Sequence, residues 1–201
     1  MMVFRGVIIV EFFLGIHTFG ISNIHFLRKI LLLSDTHSHF DDKIAFYAAQ
    51  ADEIWHAGDV GTTKVLDALS SLKPLRAVYG NIDGHQVRLR TEEFLSFTCE
   101  GVRVLITHIA GYPGRYNPTA KKMIEKHQPK LFICGHSHIL KVMHDKNLGH
   151  LHMNPGAVGI SGFHKFRTLL RFEIEEGEIK NLEAIELGQR GTLANTVHRT
   201  D

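Results

Sequence analysis

From residue 29 onward the chain alternates short apolar runs with amphipathic stretches. Residues 30–33 are continuously apolar, the mark of a strand buried on both faces. Residues 41–51 read as a helix with Asp41 or Asp42 at its N-cap, and residues 62–72 as a second helix that stops ahead of Pro74. Strands are predicted over 53–56, 75–79, 102–107 and 130–134, with a third helix over 117–127. The stretch 88–98 fits neither period cleanly, and 94–97 is its candidate strand. After His138 the pattern changes. Segments 139–144, 149–153, 168–174 and 178–186 alternate with period two, as antiparallel strands do, and Glu176-Gly177 supplies a hairpin turn. No repeat, low-complexity tract or linker interrupts this order. One domain is expected over 29–187, βαβ in its first half and antiparallel in its second, with a disordered polar tail over 188–201.

The first 28 residues stand apart. They are apolar, but Glu11 and His17 break the run, and no small-residue cleavage pattern follows. A span needs roughly 18 or more largely uncharged residues. The segment therefore reads as an N-terminal extension, with an edge strand around 7–13, rather than a signal or an anchor. A chain of 201 residues suits one sizeable core. The net charge of +2 demands neither nucleic acid nor membrane as partner, and two cysteines are too few for a disulfide framework. A cytoplasmic location is the simplest expectation. What changes the picture is the count of 15 histidines, because imidazole is the commonest protein metal ligand.

Five predicted strands end at metal-binding residue types. They deliver Asp35 and His37, then Asp59, Asn81, His108, and finally His136 and His138. Taken singly, an Asp after a strand is often a helix cap, and Gly58-Asp59 or Gly80-Asn81 an ordinary turn. Jointly they differ, because in an open α/β sheet consecutive strand ends converge on one edge. Four imidazoles, two carboxylates and a carboxamide gathered there without a cation would be costly to bury. Seven donors exceed the needs of one ion with an open position and suit two ions sharing a carboxylate. Nitrogen and oxygen donors without thiolate favour Mn, Fe, Zn, Ni or Co, and Mn2+ is taken first.

The ordered set Asp-x-His, Gly-Asp, Gly-Asn, His, Gly-His-x-His resembles the calcineurin-like metallophosphoesterase superfamily, in its small single-domain bacterial and archaeal phosphodiesterase subgroup. That resemblance covers residues 29 to about 187. It implies an α/β (α+β) fold, a four-layer sandwich of two mixed β-sheets flanked by helices. It also implies that Asp35, His37 and His138 hold one metal, that Asn81, His108 and His136 hold the other, and that Asp59 bridges them. The implied reaction is hydrolysis of a small-molecule phosphodiester by a metal-bridging hydroxide, with Asp59, Asn81 and His108 as the catalytic positions. Asn154-Pro155-Gly156 matches a recurrent segment, expected as a turn on the rim of the site.

One departure concerns the leaving group. Many superfamily members place His after Gly-Asn, whereas here Ile82 follows Asn81 and cannot donate a proton. His85, His39 or a metal-bound water would have to substitute, and aryl diesters with stable leaving groups should react best. Arg115, in the loop after His108, is the candidate phosphate contact. His56, His144, His150, His152 and His164 are read as packing or hydrogen-bonding residues. Two rivals share the fold, a protein-binding scaffold with a large apolar patch and a nuclease with a basic, aromatic groove. Oligomeric state and natural substrate stay open.

Overall fold

A computed structural model describes residues 27–191, so the edge strand expected over 7–13 and most of the tail lie outside the described residues. The strands are β1 (Arg28–Leu33), β2 (Glu53–Ala57), β3 (Leu75–Val78), β4 (Phe94–Cys99), β5 (Val102–Thr107), β6 (Leu131–Ile133), β7 (Leu140–Asp145), β8 (His150–Pro155), β9 (Phe166–Glu175) and β10 (Glu178–Gln189). The helices are α1 (Asp42–Ala49), α2 (Thr63–Leu72), the single turn α3 (His85–Arg88) and α4 (Pro118–His127). They form two five-stranded mixed sheets, in the orders β10-β9-β1-β2-β3 and β4-β5-β6-β8-β7.

Period-two alternation sorts the apolar runs into layers. In β1, Ile30 and Leu32 point between the sheets and join Trp55, Val104, Ile106, Ile133, Met153 and Phe172. Their neighbours Leu31 and Leu33 point outward against Ile44, Ala48, Val65 and Leu69 of α1 and α2. On the far side Leu105 and Phe132 meet Ala120 and Ile124 of α4. The result is the expected four-layer sandwich of helices, sheet, sheet and helix. The α1 start is capped by Asp41, whose carboxylate accepts from the Ile44 amide at 3.0 Å. Asn117 does the same for Ala120 at 2.7 Å, with Pro118 in the first turn of α4. The β9–β10 hairpin turns at Glu176 and Gly177, whose φ values of 52° and 76° are those of a primed turn.

Two local expectations are corrected. β8 is antiparallel only to β7. It runs parallel to β6, because the chain crosses from β6 through β7 and returns inside it. Asn154 and Pro155 are not a rim turn but the end of β8, and the buried Asn154 amide donates to Gly135 O at 2.8 Å. The candidate strand over 94–97 is β4, and the single turn α3, which ends where the ambiguous stretch begins, is too brief to leave a periodic signal. Among the described residues no helix is long and apolar enough to cross a membrane.

Candidate metal centre

Parallel pairing of β1 with β2 carries on past the strand ends. Asp35, His37 and Ser38 amides donate to Gly58, Asp59 and Val60 carbonyls at 2.9, 3.0 and 2.8 Å. The first two donor loops are therefore laid side by side by backbone alone. Gly135 N donates to His108 O at 3.0 Å, which ties the β5 and β6 loops in the same way. The two sheets are joined where His136 N donates to Asp35 Oδ2 at 3.2 Å and His108 Nδ1 meets Ala57 O at 2.8 Å. A carbonyl only accepts, so His108 Nδ1 carries the proton and Nε2 presents a lone pair.

These constraints gather two trios, Asp35/His37/His138 and Asp59/His108/His136, each with donor atoms within 4.8 Å of one another. Asp59 faces both. Its Oδ1 lies 3.1 Å from His108 Nε2 and its Oδ2 3.6 Å from His37 Nε2. Asn81, the carboxamide of the expected set, lines a 250 Å³ pocket together with His108. Gly80 makes this approach feasible, since a Cβ there would overlap the Asp59 carboxylate and stand 2.7 Å from His108 Cδ2.

Two features show that the residues fit cations. Asp35 Oδ1 and His108 Nε2 are buried with no hydrogen-bond partner, and each is a donor atom aimed into its trio. An unmet buried polar atom costs roughly 1–3 kcal/mol, which coordination removes. Five of the six trio residues, Asp35, His37, Asp59, His136 and His138, hold left-handed φ between 47° and 67°. Non-glycine residues adopt that region at a cost of about 1 kcal/mol or more each, and such strain clusters at functional sites.

The charged groups of the trios also shift one another's pKa values. Burial alone would raise the Asp59 pKa, but the adjoining His108 ring, the Ile82 amide and His37 outweigh it and hold the carboxyl below its usual value. For His108, burial opposes protonation, while Asp59 and Asp35 overcome it and raise the pKa. His136 is lowered, first by desolvation and then by His108.

The candidate substrate contacts are placed differently. His85 opens α3 and Arg115 lies in the loop after β5, both exposed. Among the described residues no hydrogen bond joins either side chain to the trios. Of three residues with larger roles, Asp83 carried no sequence signal, while His56 and His164 hydrogen-bond as expected. Asp83 accepts from the amides of Val60, Gly61 and Gly80 at 3.1, 2.6 and 2.7 Å, clasping the two loops that carry Asp59 and Asn81. His56 is fully buried, its Nε2 bonded to Thr36 Oγ1 at 2.9 Å and its Nδ1 accepting from Gly58 N, and desolvation lowers its pKa to about 4. His164 sits against His138, with 3.2 Å between their Nδ1 atoms. A contact that arises only when distant loops meet leaves no spacing to read.

Comparison with known proteins points the same way. The calcineurin-like phosphoesterase superfamily domain model matches residues 29–177. A probable metallophosphoesterase of Mycoplasma pneumoniae is 29% identical over 164 residues, 78% of this chain and 96% of its own length. One from Methanothermobacter thermautotrophicus is 27% identical over 133 residues, 63% of this chain and 74% of its own. Among solved structures, wild-type Vps29 of Entamoeba histolytica complexed with Zn2+ superposes with a TM-score of 0.57 at 15% identity, covering 79% of this chain and 98% of that one.

Proposed function

Because the chain belongs to the calcineurin-like phosphoesterase superfamily, we propose that it hydrolyses small phosphodiesters at a centre of two divalent cations. The observation that carries this reading is the convergence of two donor trios on Asp59, one carboxylate oxygen turned to each. In it Asp35, His37 and His138 hold one cation, Asn81, His108 and His136 the other, and Asp59 bridges them. Two such cations supply Lewis-acid neutralisation of the phosphoryl oxygens and a water of lowered pKa. The chain's own residues fix where this happens. Asp83 and the backbone ladder hold Asp59 and Asn81 in place, and the Ala57 carbonyl orients His108. The 250 Å³ pocket beside Asn81 and His108, walled by Tyr79, Ile109 and Met123, offers room for one ester group. Ile82 is exposed and donates no side-chain proton, so esters with stable leaving groups are the favoured substrates. Arg115 and His85 are exposed enough to meet a substrate that spans the mouth. The donor set suits Mn2+, Ni2+, Zn2+, Fe2+ or Co2+, and zinc is found with the Vps29 structure of similar fold. We place Mn2+ first and the protein in the cytoplasm.

A second reading has an observation of its own. Ile82, Ile109 and Ile139 each follow a donor residue directly and are 46%, 45% and 61% exposed. Apolar side chains next to the centre suit a protein-binding scaffold as well as an apolar ester. Hydrolysis of bis-p-nitrophenyl phosphate and p-nitrophenyl phosphate by metal-stripped protein, with Mn2+, Ni2+, Zn2+ or Mg2+ restored, separates the two. Metal-dependent diester cleavage that disappears in Asp59→Asn is the expected result. Two ions bound per chain with no turnover would reject the enzyme in favour of the scaffold.

A further inference from the structure

The loop from Gly159 to His164, between β8 and β9, lies against the Asp35/His37/His138 trio and is tied there at several points. Val158 N and Gly159 N donate to Ser34 O and Asp35 O, both at 3.1 Å, so the loop is laced to the backbone of the first donor segment. Arg190 Nε donates to His164 O at 3.0 Å from the other side. Gly162 has φ 123°, and a Cβ there would overlap the His138 ring. The loop thus lies directly on a trio residue, and the lack of a side chain at 162 is what permits the approach.

His138 turns Nε2 toward the trio, 3.2 Å from Asp35 Oδ1 and 3.3 Å from His37 Nε2. Its Nδ1 is 3.2 Å from His164 Nδ1, with the rings nearly edge-to-face at 71°. His164 Nε2 in turn is 3.0 Å from Gly159 O. The direction of this chain follows from what each atom can do. The Gly159 carbonyl only accepts, so His164 Nε2 bears the hydrogen and its Nδ1 a lone pair. That lone pair accepts the hydrogen of His138 Nδ1, which leaves His138 Nε2 unprotonated and pointed at Asp35 and His37. A histidine that coordinates through one nitrogen needs the other to donate to an acceptor that fixes ring and tautomer. His108 meets that need with the Ala57 carbonyl. His138 has His164 instead.

We propose that His164 is a positioning residue of the metal centre, which accepts the His138 Nδ1 hydrogen and so holds His138 in the tautomer that coordinates through Nε2. The inference rests on the reading of Asp35, His37 and His138 as a cation site. It also gives a specific role to His164, which the sequence marks only as a packing or hydrogen-bonding residue.

The test compares wild type with His164→Leu, which removes the acceptor, and His164→Gln, whose carboxamide oxygen can accept in its place. Zinc titration by calorimetry should resolve two sites in wild type. Leucine should weaken one of them by about 10–100-fold, the range found when an outer partner of a ligand histidine is lost, and glutamine should restore most of it. Long-range 1H–15N NMR of the metal-free wild type should show His138 protonated at Nδ1, with the Nε2-protonated form appearing in His164→Leu. Unchanged zinc affinity in His164→Leu, equal losses in both variants, or an Nε2-protonated His138 in wild type would each overturn the proposal while the metal centre stands. Wild type that binds no zinc, with Asp35→Asn indistinguishable from it, would remove the metal centre itself and the proposal with it.

Discussion

Replacing Asp83 with alanine tests whether the donor loops are held by one buried carboxylate. Oδ2 accepts from Val60 N at 3.1 Å and Gly80 N at 2.7 Å, and Oδ1 from Gly61 N at 2.6 Å. Val60 and Gly80 are buried, so their amides lose their acceptor with no water to replace it, whereas Gly61 is half-buried and recovers part of its loss. At about 1–3 kcal/mol for each stranded buried amide, the expected cost is about 4 kcal/mol. That is a large share of the roughly 5–15 kcal/mol that keeps a domain folded. For a chain of this length it corresponds to a fall in Tm of about 8–16 °C. Urea unfolding of metal-free protein at neutral pH measures the cost without the contribution of bound ions. Asp83→Asn, which keeps one acceptor oxygen but turns an amide toward an amide, should fall between wild type and alanine. Because the same carboxylate positions Asp59 and Asn81, the alanine variant should also lose the cation at the Asp59/His108/His136 trio. An Asp83→Ala protein within about 1 kcal/mol of wild type, with metal stoichiometry intact, would refute the reasoning, since two buried amides cannot lose their acceptor so cheaply.

Two further outcomes are expected. Gly80→Ala should lower metal affinity at the Asp59/His108 side and cost about 1–3 kcal/mol, the usual range for overpacking, because the new methyl overlaps the Asp59 carboxylate; equilibrium unfolding and zinc titration read both, and an alanine variant that binds two ions with wild-type affinity contradicts the close approach. Burial, then His150 and Lys141, lower the His152 pKa to about 4 despite Asp145. The folded state therefore favours neutral His152, so this stability is fully present above the ordinary value of 6.5 and is lost as pH falls toward 4. By about pH 5 the loss should be about 2 kcal/mol, seen as a drop in urea midpoint that shrinks in His152→Gln; an identical pH slope in the variant would show that His152 is not the group responsible.

The convergence of Asp35, His37, Asp59, His108, His136 and His138 was legible because strand ends, glycine turns and metal-binding residue types fall in register along the chain, and a sheet brings consecutive ends to one edge. Apolar alternation likewise gave the layers, since period two assigns Ile30 and Leu32 to one face and Leu31 and Leu33 to the other. Other features were decided only when the sheets packed. The parallel insertion of β8 between β6 and β7 depends on pairing partners, which alternation does not name. The pull of Asp83 on Val60 and the contact of His164 with His138 join residues 23 and 26 positions apart, and the His136 amide reaches Asp35 across 101. Periodicity and motif spacing report on neighbours along the chain. Tautomer, strain and the close approach of buried polar atoms belong to the packed interior, where each group's energy is set by what the rest of the fold places against it.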